Sequence, residues 1–437
     1  MKKSKVLISG VVAGLSLFLT ACGNNSAPAA GGGATTGVLA ETGAENVTIR
    51  FGWWGGQVRH DRTLEVIEMF EAEFPHITVE ATFATWDDYW QLLNTQAAGN
   101  NLPDVIQMDL TRMNEFDVSN LLVDLNPFIS NGTIDLSNVD DVYQEVLRLD
   151  GRTLGISGGA NAFAFVINPA FATEHGFDFT PGYTWDEFIS FLIDTRASIG
   201  NDFYGFFFNT AEYEVFQVFV RQAGEQMYTV DGSLGFSEQT LTNFFTLVQD
   251  MSNDDIVVSI AREAAVVNAA EVFHDGTVVA AMVASNQIIG LQDATDVELA
   301  LALLPMSDGS TPGNWIRSSM SFAITSHSTE QEAAAKFIDF LTNSIEANAV
   351  LLADRGVPIA SHVRDGIIDI VSPAVQETFT ILDDVAAFSS PADGLPPAGQ
   401  GEVRAAFFRY IEQLRHNVTD PQTATQQFMA EASNILN

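Results

Sequence analysis

Val47-Thr-Ile-Arg-Phe-Gly-Trp-Trp-Gly-Gly56 is a run of β-formers that stops at a glycine pair, and the residues after it decide the fold. Leu64, Ile67, Phe70 and Phe74 recur at spacings of three and four, which predicts an amphipathic helix from Arg59 to Phe74 ending before Pro75. Ile77 to Phe83 alternates as a strand. Asp87 to Ala98 reads as a helix closed by Gly99, and Pro103-Asp-Val-Ile-Gln-Met-Asp109 as a short buried strand. Strand and helix alternate, which favours a mainly parallel sheet covered by helices on both faces. Downstream, Thr184-Trp-Asp-Glu187 has the form of a capping box ahead of an apolar-periodic helix. Thr329-Glu-Gln-Glu332 repeats that form before Ala333, Phe337, Ile338 and Leu341. Leu241, Phe244, Val248 and Met251 mark another helix, and Val403, Phe407, Ile411 and Leu414 a further one.

Composition narrows the class. The 437 residues carry 56 acidic and 19 basic side chains, a formal charge of −37, and lysine occurs only at Lys2, Lys3, Lys5 and Lys336. Phosphate binding needs clustered cations, so this balance argues against nucleic acid as a partner, and it repels anionic membrane surfaces. At 46% hydrophobic the chain can bury a large core, which excludes wholesale disorder. At the N-terminus, Lys2, Lys3 and Lys5 precede an apolar run from Val6 to Leu19, the parts of a secretory signal and shorter than the ~20 residues of a membrane span. Leu19-Thr-Ala-Cys22 resembles the lipobox of bacterial lipoproteins, which implies cleavage before Cys22 and diacylglycerol on its sulfur. Loss of residues 1–21 would take three lysines with it and leave −37 − 3 = −40. Cys22 is the only cysteine, so no internal disulfide can form. Residues 23 to about 46, rich in Gly, Ala and Thr, read as a flexible tether.

Several stretches together resemble the family 1 extracellular solute-binding proteins of ABC importers. They are Phe51-Gly-Trp-Trp-Gly-Gly-Gln-Val-Arg-His-Asp61, Thr85-Trp-Asp-Asp-Tyr-Trp90, Thr95-Gln-Ala-Ala-Gly99 and Leu102-Pro-Asp-Val-Ile-Gln-Met-Asp109. Asp150-Gly-Arg-Thr-Leu-Gly-Ile156, Asn161-Ala-Phe-Ala-Phe-Val-Ile-Asn168 and Tyr183-Thr-Trp-Asp-Glu-Phe188 continue the likeness. So do Phe273 to Met282, one residue longer than the family's element, and Gly313-Asn-Trp-Ile-Arg317 ahead of Met320-Ser-Phe-Ala-Ile324. The resemblance runs from about Val47 to the C-terminus. It implies a two-lobed α/β fold of the type II periplasmic-binding-protein kind, with a ligand cleft between lobes joined by crossing strands. On that expectation residues 1–21 are a signal peptide and 22–46 the lipidated cysteine with its tether. Residues 47–157 and 313–360 form the N-terminal lobe, and 158–312 and 361–437 the C-terminal lobe. The resemblance further implies an oligosaccharide ligand, an ABC permease as partner, a monomer, and attachment to the outer face of the cell membrane through lipid alone. It implies no cofactor.

A sugar offers apolar CH faces and hydroxyl edges, so its binder needs flat aromatic platforms and a few placed polar groups. Trp53 and Trp54 end the first strand, the edge at which open α/β sheets bind ligands, and strand alternation sends one of them inward and the other toward the cleft. Trp86 and Tyr89 start the second helix in a comparable place, and Trp315 sits in a Gly/Pro-bounded loop at a proposed crossing. Polar candidates are Gln57, Arg59 and Asp61 around the first turn, Asp109 and Asn161 at strand ends, Asn286 after the Ala280–Ser285 strand, and Arg317. In so acidic a chain, Arg59, Arg62 and Arg317 could meet a ligand carboxylate through their planar forks. The Trp-Trp-Gly-Gly-Gln-Val-Arg-His element is also similar to one in oligogalacturonide-binding members, which makes a uronic-acid ligand an expectation and a neutral oligosaccharide its rival.

Other chemistries leave little trace. The histidines are scattered without zinc-ligand spacing, and no nucleophile elbow or Walker loop occurs, so no metal site is assigned. The serious alternative is a secreted lipoprotein glycoside hydrolase, since the carboxylates are numerous enough for two to face each other across a glycosidic bond. An adhesin would show repeats or all-β patterning, and neither is present.

Overall fold

The computed structural model describes residues 45–266, 270–274, 276–307, 311–389, 394, 396–397 and 399–436. The expected signal segment, Cys22 and the tether as far as Ala44 lie outside the described residues. The chain starts as read: β1 (Val47–Trp54), α1 (Gln57–Glu73), β2 (Ile77–Ala84), α2 (Trp86–Ala98), β3 (Val105–Met108) and α3 (Leu110–Val118) follow in order. β1 runs parallel to β2 on one side and to β3 on the other, the pairing that helical crossovers produce. The buried stripe of α1 is His60, Thr63, Val66, Ile67 and Phe70, while Leu64 and Phe74 are half-buried at its border.

β4 (Ile156–Asn161) and β5 (Phe163–Ile167) are separated only by Ala162 yet join different sheets. Then come α4 (Trp185–Ile199), β6 (Gly205–Phe207), α5 (Glu212–Gln222), α6 (Glu238–Asn253), β7 (Val278–Ala284), α7 (Gln287–Asp293), β8 (Ala300–Ala302) and β9 (Arg317–Ile324). The first sheet has the order β2-β1-β3-β9-β4 and the second β8-β5-β7-β6. β9 is antiparallel to both neighbours, because the chain re-enters the first sheet from the second through residues 303–316. In the second sheet β7 is antiparallel to β5 and parallel to β6. Both halves of the capping box at α4 form: Thr184 Oγ accepts from the Glu187 N–H at 3.2 Å, and the Glu187 carboxylate accepts from the Thr184 N–H at 2.8 Å.

The second expected box does not form. α8 (Gln331–Asn343) starts after Glu330, with no side-chain cap, because Ser328 accepts the Glu330 N–H and the Glu332 carboxylate is drawn away by the Thr133 hydroxyl at 2.9 Å. After α8 the chain folds back on the crossing: Val357 pairs with Ala160 of β4. α9 (Pro373–Ala387) places Phe379 and Leu382 in the core around the first sheet, whereas α10 (Gln400–Arg415) and α11 (Pro421–Leu436) pack Val403, Phe407 and Phe428 around the second. The stripes expected at Leu241–Met251 and Val403–Leu414 are buried as spaced.

The contact between β4 and the returning segment is close. A side chain at Gly159 would overlap the carbonyl oxygen of Arg355, and Gly356 sits at φ +108 against Ala160. Ser319 donates to the Gly159 carbonyl at 2.9 Å and also to that of Arg355, locking three chain passages together. Gly159→Ala is expected to cost about 1–3 kcal/mol by overpacking, since the obstacle is backbone and cannot rotate away. Denaturant unfolding checks this; an unchanged midpoint would mean the passages separate easily.

Arg415, buried under the second sheet, holds two carboxylates: Glu212 at 2.9 Å and Glu263 at 2.8 Å. One guanidinium cannot neutralise both, and Glu263 Oε1 has no partner. Burial, against the pull of Arg415, pushes Glu263 up to about 7 from 4.5 and raises Glu212 as well. The folded state thus holds a proton there more tightly than the unfolded chain. Its contribution is fully present below the unfolded value and is lost as pH rises through the folded one, on the order of 2–3 kcal/mol. Melting temperature should fall between about pH 5 and pH 8, and Glu263→Gln should flatten that fall. Parallel profiles would show that Arg415 keeps both groups ionised.

Candidate functional site

Two strands and three helices converge on one cavity of about 330 Å³, lined from both sheets. From the first side come Leu110 and Thr111 at the start of α3, with Val146. α3 begins there because Asp109 caps it, its carboxylate accepting the Thr111 N–H at 2.9 Å. From the second side come Phe163 of β5, Tyr213, Glu214 and Gln217 of α5, Tyr228, and Arg404 of α10, while the second crossing between the sheets brings Trp315 and, at the head of β9, Arg317. The walls are therefore aromatic, with charge at a few points.

Each wall residue is fixed from behind. Trp315 is 9% exposed, its ring covered by the Arg221 guanidinium at 4.8 Å and met edge-on by Phe163 at 5.8 Å, so what remains of its surface borders the cavity. The Tyr213 and Tyr228 hydroxyls pair at 3.0 Å, and burial raises both phenols above their ordinary range, which keeps them neutral donors. Arg404 donates to Glu214 Oε1 at 2.7 Å while stacking over Phe408. Arg317 lies with its guanidinium carbon 4.3 Å over the Phe163 ring, and burial disfavours its charged form while Glu214 and Asp109 favour it. Such a site can stack a flat apolar face and exchange hydrogen bonds with a hydroxyl-rich edge. Among the described residues no group of His, Asp and Glu is placed to hold a metal.

The residues expected from sequence divide into three sets. Trp315 and Arg317 line the cavity, with Asp109 behind its helical wall. Asn161 sits opposite Arg317 in the β4–β9 ladder, 8% exposed, with Oδ1 unpaired. The first-strand aromatics are elsewhere. Trp53 is sealed in the core, stacked on Phe51 at 4.9 Å and donating from Nε1 to His60 Nδ1 at 3.1 Å; burial, then Arg59, keep that imidazole below its ordinary value. Tyr89 is equally sealed, its hydroxyl donating to the Gln107 carbonyl at 2.8 Å. Both are corrected from platforms to packing residues: each polar atom already has its partner inside. Trp54, 8% exposed, belongs to a cluster with Tyr89, Trp90 and Trp86, of which only Trp86 reaches solvent at 43%.

The remaining polar candidates are engaged or distant. Gln57 donates to Asp61 at 2.7 Å on the surface. Arg59 is committed to Asp354 at 2.5 Å, and Arg62 donates to the Leu351 carbonyl at 3.0 Å. Asn286 is exposed and shares with Arg62 a second cavity of about 390 Å³, apart from the aromatic one. Sequence reasoning missed Phe163, Tyr213, Glu214, Tyr228 and Arg404. A signal existed for two of them: Tyr213 and Glu214 open a helix just after a short strand, the same position that drew attention to Trp86 and Tyr89.

Comparison with known proteins follows the same line. The model of the bacterial extracellular solute-binding protein family matches residues 65–379. A binding protein of Brucella abortus (strain 2308) is 25% identical over 287 residues, 63% of this chain and 67% of its own. A family 1 extracellular solute-binding protein from Alicyclobacillus acidocaldarius superposes with a TM-score of 0.79 at 25% identity, covering 90% of this chain and 99% of that one. A periplasmic oligogalacturonide binding protein from Yersinia enterocolitica superposes at 0.77 with 22% identity, over 89% of this chain and 99% of its own.

The two kinds of tryptophan should separate by stability. Trp53→Ala is expected to cost about 3–5 kcal/mol of unfolding free energy, and Trp86→Ala less than about 1 kcal/mol. Equal losses in a denaturant titration would contradict the burial described for Trp53.

Proposed function

The chain belongs to the bacterial extracellular solute-binding proteins, and from that membership we propose that it is the oligosaccharide-capturing component of an ABC importer. The observation that carries the reading is the aromatic cavity to which both sheets contribute, lined by Thr111 of α3 together with Trp315, Tyr213 and Tyr228. A ligand shifts an open–closed equilibrium only by its difference in affinity for the two states, so it must touch both sides. Rings on one side and the start of α3 on the other give it those two holds. The first sheet with its helices forms one lobe and the second sheet with α10 and α11 the other, and the closed pair is what the permease recognises. A monomer held at the outer membrane face by lipid on Cys22 suits this delivery role, and no described helix is long and apolar enough to cross a membrane.

Isothermal titration against galacturonate, maltose- and xylose-type oligomers tests the proposal. One class should bind, and Trp315→Ala should weaken that binding by about 1–3 kcal/mol without unfolding the protein. Silence toward all saccharides rejects the reading. Release of reducing ends over a day from whichever oligomer binds would replace transport with hydrolysis.

A further inference from the structure

Resting on the sugar-binding reading, we infer that the saccharide carries a carboxylate and that Arg317 is the residue that takes it. The distribution of arginine bonds supports this. Every other arginine donates at least one hydrogen bond to the protein: Arg59 to Asp354, Arg62 to the Leu351 carbonyl, Arg221 to the Gly313 carbonyl, Arg355 to Gln107, Arg404 to Glu214. Arg317 donates none among the described residues. Arg317 is half-buried, its guanidinium lies over the Phe163 ring, and it lines the cavity. The two nearest carboxylates do not reach it, because Glu214 is drawn to Arg404 at 2.7 Å and Asp109 to the Thr111 N–H at 2.9 Å.

The neighbouring polar atoms have the opposite need. Asn161 stands opposite Arg317 in the antiparallel ladder, so the two side chains share a face, and Asn161 Oδ1 is buried without a donor. Glu214 Oε2 is likewise buried without one. Leaving such groups unmet is costly, so the ligand is expected to meet them. Two acceptors call for hydroxyls, and the planar five-donor fork of Arg317 calls for a carboxylate. Hydroxyls and a carboxylate on one ring describe a uronic acid.

Digalacturonate and neutral digalactose of the same linkage are titrated into the wild-type protein and Arg317→Gln at low salt. The wild type is expected to favour the acid at least about tenfold, and the Gln variant to bring the acid-to-neutral ratio near one. Arg317→Lys keeps the charge without the fork, serves if the Gln variant melts early, and should lose most of the preference. Wild-type affinity for the acid should also fall as salt is raised. A wild type that binds the neutral sugar as tightly, or a Gln variant that keeps the full preference, overturns the assignment while leaving sugar binding in place. Silence toward both disaccharides and every other saccharide overturns the sugar reading and this inference with it.

Discussion

The antiparallel pairing of β4 with β9 is the constraint on which the rest depends. β4 is the strand from which the chain leaves the first sheet, and β9 is the one by which it returns. Because they are hydrogen-bonded to each other, two of the passages between the sheets form one ribbon. Its irregular register between Ser318 and Ser321 bends it, and the returning segment at Arg355–Val357 is pressed onto its back, which only glycine at 159 and 356 permits. Asn161 and Arg317 form the last rung on the side of the second sheet, and Trp315 stands two residues beyond. The ladder that joins the halves therefore also presents the cavity's ring and cation.

Charge is distributed by the same economy of cations. With 19 basic against 56 acidic residues, each arginine is a scarce donor, and nearly all are spent on local order. Arg152 takes both oxygens of Asp117, Arg50 straps the start of β1 to Asp104 and residues 101–102, and Arg415 serves two glutamates at once. Surface pairs such as Arg112–Glu115 contribute little to stability, and the buried Arg415 cluster is held at a desolvation cost that only good geometry offsets. An arginine left uncommitted against this background stands out by contrast.

Local alternation and periodicity made the architecture legible. The β1-α1-β2-α2-β3 series was readable because each element is short, bounded by glycine or proline, and carries its own period. Thr184–Glu187 behaved as its pattern implied, whereas Thr329–Glu332 did not, since Thr133, nearly two hundred residues earlier, competes for the glutamate. The site was less legible for a related reason. Alternation says that Trp53 and Trp54 face opposite ways, but not that both faces of this central strand are covered by helices; α1 and α2 close over them. A strand end marks a ligand edge only where no side chain already satisfies it, and Trp53 with His60, or Tyr89 with Gln107, is satisfied in the core. Trp315 and Arg317, the sequence candidates that do line the cavity, were singled out because their segment lies at a proposed crossing between the sheets. Arg404 could not be, since only the third dimension brings α10 beside α5.

The two sides of the cavity consequently differ in kind. The first contributes the start of α3, with Leu110 and Thr111, which is backbone-ordered and short. The second contributes nearly all the rings and charges. Most contact area with a sugar would then lie on the second side, which can hold the ligand while the halves are apart. The first side adds its few contacts only on closing. That division makes the difference in affinity between open and closed states small compared with the total, so occupancy and closure need not be the same event. By linkage, a partner that favours the open form can weaken the hold on the ligand only by the grip that closure adds, so the contacts made at the start of α3 set how far opening loosens the cargo.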